Sequence, residues 1–196
     1  MAALNTNLGV NFPRGFRSTG VYCGIKKPGL LDLALIVSET ESSVAGMFTT
    51  NRACAAPVVW SKQVVAGGRA RAIVANSGNA NCLTGEQGMR DAQRMAVLVA
   101  KRLECHPTQV VVASTGVIGV PLPMPAVESG IAQAFERLHR LACQSHVRRV
   151  VRQRNHHIVR AGVAVYRDAV EGRVHHPREA CLQVSGVNRQ IGRAHV

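Results

Sequence analysis

The sequence changes character at Phe135, and that break limits what the chain can build. Up to Phe135 there are eight Arg and four Lys against seven acidic residues, a net charge of +5. From Glu136 to Val196 there are twelve Arg, no Lys and four acidic residues, a net charge of +8. Seven of the eight His also fall in this second part, which contains no Thr. A shift of this kind marks a domain boundary, a basic arm or a change in how the sequence arose. Residues 1–135 and 136–196 are therefore read separately.

Residues 1–135 read as a compact α/β domain. Leu31–Val37, Ser43–Thr49, Pro57–Trp60, Arg71–Ala75 and Gln109–Ala113 are short apolar or β-branched runs that predict strands. Thr84 followed by Gln87 has the spacing of a capping box. Beyond it, Met89, Ala92, Met95, Ala96, Val99 and Leu103 recur at helical spacing, opposite Arg90, Gln93, Arg94 and Lys101. Pro107 stops that helix. A second helix is expected from Ala126 to about Leu138, with Val127, Ile131, Ala134, Phe135 and Leu138 along one stripe.

The longest unbroken apolar run, Met95–Ala100, has six residues, against the ~18 a membrane span needs. The first residues lack the charged start and apolar stretch of a signal peptide. Six cysteines stand singly, at 23, 54, 82, 105, 143 and 181, with no CxxC pair. These features predict a cytoplasmic protein with free thiols, no membrane segment and no metal site.

Three segments offer chemistry. Arg71–Gly88 places a strand, a Gly/Asn loop and a helix start in succession. Such a loop can present backbone N–H groups to an anion, although Asn and Gly also serve simply to satisfy tight turns. It is neither GxGxxG nor a Walker loop. Ala113–Gly119, ASTGVIG, follows a strand directly, where an α/β sheet places its ligand. A Thr hydroxyl beside a Gly N–H can form an oxyanion hole there, and a plain strand-ending turn is the alternative. Ser114 invites a hydrolase reading, but His106 is the only histidine in the segment and no base is assigned. Gly20–Gly29 carries Lys26 and Lys27 in a Gly/Pro-bounded loop, with Cys23 read as an inert thiol.

Four blocks in order, GFRSTGVYCGIKKPGLLDLALI, VAGMFTTNRACAAPVVWS, RAIVANSGNANCLTGEQGMRDA and VVVASTGVIGVPLPM, resemble the N-terminal part of the ornithine acetyltransferase family. The resemblance covers Leu4 to about Phe135. It implies a layered helix-and-sheet α/β fold, here incomplete. It further implies a glutamate N-acetyltransferase of arginine biosynthesis, which moves acetyl from N-acetylornithine to glutamate through an acetyl-threonine. The family's oxyanion pair falls on Thr115 and Gly116. The resemblance implies no tightly bound cofactor, with acetyl-CoA as a donor in bifunctional members. It also implies two chains, α and β, assembled as a heterotetramer. The family's nucleophile is the first threonine of the β chain, and its amine serves as base.

Beyond Phe135 this sequence has no Thr and no Lys, so it offers neither that nucleophile nor the family's substrate lysine. The expectation is a chain that lacks acetyltransferase activity by itself and does not cleave itself. Out-of-frame reading of GC-rich coding DNA gives Arg without Lys, so 136–196 is expected to be a poorly ordered, frameshift-like tail outside the family. His156, His157, His175 and His176 lack zinc-ligand spacing. Arg148, Arg149, Arg152 and Arg154 form a basic cluster that supports an alternative reading, a nucleic-acid or polyanion-binding protein. No recognition motif accompanies the cluster. Val159, Ala161, Val163 and Val165 alternate as a strand does.

Overall fold

The computed structural model describes residue 10, residues 15–138, and the backbone of residues 162–166 and 182–183. The strands are β1 (Phe16–Val21), β2 (Leu33–Met47), β3 (Arg69–Asn79), β4 (Val110–Val117), β5 (Gly162–Tyr166) and β6 (Leu182–Gln183). The helices are α1 (Ala56–Ala66), α2 (Gly85–Leu103) and α3 (Met124–Glu136), with a 3-10 turn at Pro107–Gln109. The result is the mixed α/β architecture expected.

The strands form one sheet in the order β4-β3-β2-β5-β6, and β1 also pairs with β2. β2 is the organising strand. Its first half pairs with β1 on one edge and β3 on the other, both antiparallel. Its second half, Ser43–Met47, pairs with β5. Thus β1 and β5 lie end to end along the same edge of β2. β3 and β4 run parallel.

Two expected strands, Leu31–Val37 and Ser43–Thr49, are one. The polar residues between them do not break β2 because the register shifts between Val37 and Ser42. That irregularity leaves Thr40 and Glu41 exposed, while the Ser38 and Ser42 hydroxyls share a buried hydrogen bond of 2.8 Å. A strand was not expected at β1, whose sequence FRSTGV is half polar. Its pairing with β2 satisfies the backbone, and Ser18 and Thr19 are buried.

The expected strand Pro57–Trp60 is instead the start of α1. Pro57 sits in the first turn, where a missing N–H costs nothing. The helix buries Trp60, Ser61 and Val64, a helical spacing that overrides the β-branched pair Val58-Val59. α1 has a specific task, covering the outer edge of β4. The Trp60 indole N–H donates to the Val110 carbonyl at 2.9 Å. The Ser61 hydroxyl donates to the Val112 carbonyl at 2.7 Å and accepts from the Val112 N–H at 3.1 Å. An edge strand is thereby closed to outside pairing. Ser61→Ala leaves both Val112 groups buried and unpaired, so it should cost about 2–3 kcal/mol in chemical denaturation.

Helices α2 and α3 pack over the sheet. α2 buries Ala92, Met95, Ala96, Val99 and Ala100, the face expected. It ends at Glu104, whose left-handed φ of 52° closes the last turn, before Pro107 is reached. α3 buries Val127, Gly130, Ile131 and Ala134. Gly130 lies against Leu33 and Cys23, so the α3-facing side of the sheet carries Leu33, Leu35 and Val37 of β2. By register it continues through Val74 of β3 and Val110 and Val112 of β4. All six are essentially inaccessible to water.

α3 ends at Glu136, with Arg137 as its C-cap, so the composition break falls in its last turn and not in mid-helix. The strand expected across Val159–Val165 overlaps β5, which is paired. The expectations of poor order for residues 136–196, the His pairs and the Arg148–Arg154 cluster otherwise lie outside the described residues.

Candidate functional site

The sequence singled out three segments, and the fold brings all three to the same ends of β3 and β4. Parallel pairing aligns Ser77 with Thr115 and Gly78 with Gly116. These are the C-terminal ends of the only parallel pair among the described strands, where ligands of open α/β sheets sit.

Gly116 is glycine for a steric reason. Its φ is 138°, and an added Cβ would lie 2.2 Å from the Gly78 carbonyl carbon and 2.5 Å from the Asn79 nitrogen. Two main chains thus touch with nothing between them. Thr115 and Gly116 are half-buried, which leaves the pair near the surface at this strand end. A Thr hydroxyl and an adjacent Gly N–H are donor types that can stabilise negative charge on a carbonyl oxygen.

The asparagine side chains of NSGNAN are spent on neighbouring groups. Asn76 donates to the Asn79 carbonyl at 2.8 Å, and Asn79 donates to the carbonyls of Val120 and Pro121, each at 3.1 Å. The Asn79 side-chain oxygen accepts from the Asn81 N–H at 2.8 Å. Asn81 then donates to the Gly88 carbonyl at 2.8 Å. Three asparagines therefore fasten the end of β3 to the start of α2 and to the segment after β4. The turn-satisfying reading of these residues fits this wiring. The capping box at Thr84 does not form: the Thr84 hydroxyl donates to Asn81 Oδ1 at 2.8 Å, and Gln87 donates to Asp91 at 2.7 Å.

Ser114 is not placed as a nucleophile. Its hydroxyl donates to Asn76 Oδ1 at 2.6 Å. His106, at the opposite end of β4, uses Nδ1 to accept from the Thr108 N–H and to meet the Thr108 hydroxyl at 2.7 Å. The two residues do not meet, so a serine–histidine arrangement is absent among the described residues.

The Gly20–Gly29 loop is held by a residue the sequence reading passed over, Asp32. This buried carboxylate accepts four consecutive backbone N–H groups. Oδ1 takes Cys23 at 2.7 Å, and Oδ2 takes Gly24 at 3.1 Å, Ile25 at 2.8 Å and Lys26 at 3.0 Å. The Asp32 carbonyl also accepts from the Ser77 N–H at 2.8 Å, which registers the loop against β3. The signal was available as one acid closing a Gly-bounded loop before an apolar run. Cys23 is pushed up to about 12, by burial first and then by the Asp32 carboxylate, so it stays a neutral thiol at physiological pH and is not an activated nucleophile.

Among the described residues no three His, Cys, Asp or Glu side chains cluster to hold a metal, and no helix is long and apolar enough to cross a membrane.

The sequence profile of the ArgJ family matches residues 17–160. The chain belongs to the ArgJ family. The match runs past Phe135, where the four-block resemblance closes. A curated ArgJ relative, the arginine biosynthesis bifunctional protein of Geobacter sulfurreducens, is 51% identical over 118 residues, 60% of this chain and 30% of its own length. The Mycobacterium tuberculosis bifunctional protein is 44% identical over 137 residues, 67% of this chain and 34% of its own length. This chain thus spans about a third of the curated ArgJ proteins it matches. Among solved structures, ornithine acetyltransferase from M. tuberculosis in complex with ornithine superposes with a TM-score of 0.76 at 35% identity. That match covers 94% of this chain and 95% of the other. The Bacillus halodurans ArgJ structure gives a TM-score of 0.68 at 31% identity, covering 81% and 83% respectively.

Proposed function

We propose that this chain supplies the oxyanion half of an acetyl-transfer site that moves acetyl from N-acetylornithine to glutamate, the nucleophile being a threonine on a second chain. The observation that carries the reading is the Thr115–Gly116 pair at the ends of β3 and β4, held there by contact between Gly116 and the Gly78–Asn79 backbone. The ArgJ relatives are named for arginine biosynthesis, and the M. tuberculosis neighbour holds ornithine. The family resemblance places the attacking threonine at the start of a β chain, and the proposed function adopts that placement.

In the first step that threonine's hydroxyl oxygen bonds to the acetyl carbonyl carbon, and its own amine takes the proton. Charge develops on the carbonyl oxygen, where the Thr115 hydroxyl and Gly116 N–H face it. The C–N bond breaks, and ornithine leaves with the proton. The glutamate amine then attacks the acetyl-threonine carbonyl carbon through the same oxyanion site, the C–O bond to threonine breaks, and the proton lost by the new amide nitrogen passes through the threonine amine to the freed hydroxyl oxygen.

The second chain needs a seat. Leu83, Val117, Ile118 and Val120 are exposed beside the pair, on segments joined by the Gly119 N–H to the Cys82 carbonyl at 2.8 Å. Apolar groups left at a surface in this way mark where a partner covers them. The same reading places the reaction in the cytoplasm, on small soluble substrates.

The test is acetyl transfer by this chain mixed with a nucleophile-bearing chain. Thr115→Ala should lower turnover about 10²–10³-fold, the usual worth of one oxyanion donor, and Thr115→Ser should restore most of it. Turnover indifferent to Thr115→Ala would remove the pair from the mechanism.

A further inference from the structure

We propose that Lys26 is an anion-binding residue of this site, holding the carboxylate of an N-acetylated amino acid whose acetyl carbonyl meets Thr115 and Gly116. The choice of ligand rests on the acetyl-transfer reading; the subsite itself rests on the following geometry.

The Lys26 side chain crosses the end of β3. A Cβ built on Gly78 would come within 3.0 Å of Lys26 Cγ and 2.8 Å of Ile25 Cγ2. Gly78 is the β4-facing partner of Gly116. The lysine stem therefore lies one strand away from the oxyanion pair, at the same sheet end.

The loop is fixed before any ligand arrives. Asp32 accepts the backbone N–H of Lys26 and of the three residues before it, and the Asp32 carbonyl takes the Ser77 N–H. Little ordering is then left to occur on binding. Asp32 spends both oxygens on backbone groups, so it attracts the Lys26 ammonium through space but does not bond to it. Among the described residues the ammonium makes no hydrogen bond. Partial burial lowers the Lys26 pKa while the Asp32 charge opposes that shift. A half-buried cation without a hydrogen-bonded counter-ion, one strand from an oxyanion pair, is suited to a carboxylate.

The chain has only four lysines, Lys26, Lys27, Lys62 and Lys101, so the test can read each one. The whole chain is labelled briefly with an amine-acylating ester and mapped by peptide mass spectrometry, with N-acetylglycine as probe and N-acetylglycinamide as its neutral control. N-acetylglycine is expected to slow labelling of Lys26 several-fold and leave the other three unchanged, whereas the amide should protect none. Lys26→Met should abolish calorimetrically detected N-acetylglycine binding and Lys26→Arg should retain it. Equal labelling of Lys26 with and without N-acetylglycine, or equal protection by the amide, would overturn the proposal. A chain that supports acetyl transfer with Lys26 unprotected overturns the lysine assignment alone. A chain with Lys26 protected that never supports transfer overturns the acetyl-transfer reading and leaves the subsite standing.

Discussion

Asp32→Ala is expected to destabilise the fold by about 4–6 kcal/mol, a large share of the ~5–15 kcal/mol that holds an average domain together. The carboxylate is buried and accepts four N–H groups from Cys23 through Lys26. Hydrogen bonds to a charged group contribute roughly 1.5–3 kcal/mol each, and donors left unpaired add a desolvation cost. Partial exposure of the loop lets water replace some of them, which holds the total below a simple sum. Asp32→Asn keeps one acceptor oxygen and should cost about half as much. Urea denaturation of the three proteins distinguishes these values. A cost below ~1 kcal/mol for the alanine variant would mean that the loop is not fastened through this side chain.

Gly116→Ala is the second large effect, expected to cost about 3–5 kcal/mol and to remove support for acetyl transfer. Two penalties act together. A φ of 138° is a backbone conformation that residues with a Cβ rarely adopt, at about 1–3 kcal/mol. The new methyl would also fall 2.2 Å from the Gly78 carbonyl carbon. Because the obstacle is main chain, the overlap is relieved only by moving β3 and β4 apart, and overpacking of this kind costs roughly 1–3 kcal/mol. That movement displaces the Gly116 N–H from its place beside Thr115. Calorimetry reads the stability, and the transfer assay reads the donor geometry. An alanine variant that is stable and supports transfer would mean that β3 and β4 do not meet here.

Much of this site is legible in the sequence because its physics is local. RAIVA and QVVVA identify β3 and β4, although parallel pairing carries each strand four residues further, through the expected loops to Asn79 and Val117. The Met95 and Val99 stripe identifies α2 without help from its neighbours. What the sequence conceals is set by pairing. FRSTGV shows no alternation, and it becomes β1 because β2 satisfies its backbone and buries Ser18 and Thr19. The polar stretch Ser38–Glu41 looks like a loop, yet a register shift carries it within one strand. PVVW has β-branched character, but its partner is the free edge of β4, and Trp60 and Ser61 reach that edge only from a helix. At the site, ASTGVIG alone fits a plain turn as well as a ligand loop, and it is the family resemblance that assigns Thr115 and Gly116 the oxyanion role. Asp32 and Lys26 are not, since their roles depend on a loop folding back over β3, which no spacing reveals.

In the proposed function this chain carries the oxyanion donors and a different chain carries the attacking threonine. Intact-mass spectrometry tests it after incubation with N-acetylornithine, with this 21.0 kDa chain alone and then together with a nucleophile-bearing chain. No acetyl adduct is expected on this chain under either condition, and one acetyl group is expected on the partner, disappearing when glutamate is added. An acetyl group on this chain by itself, discharged by glutamate, would contradict it.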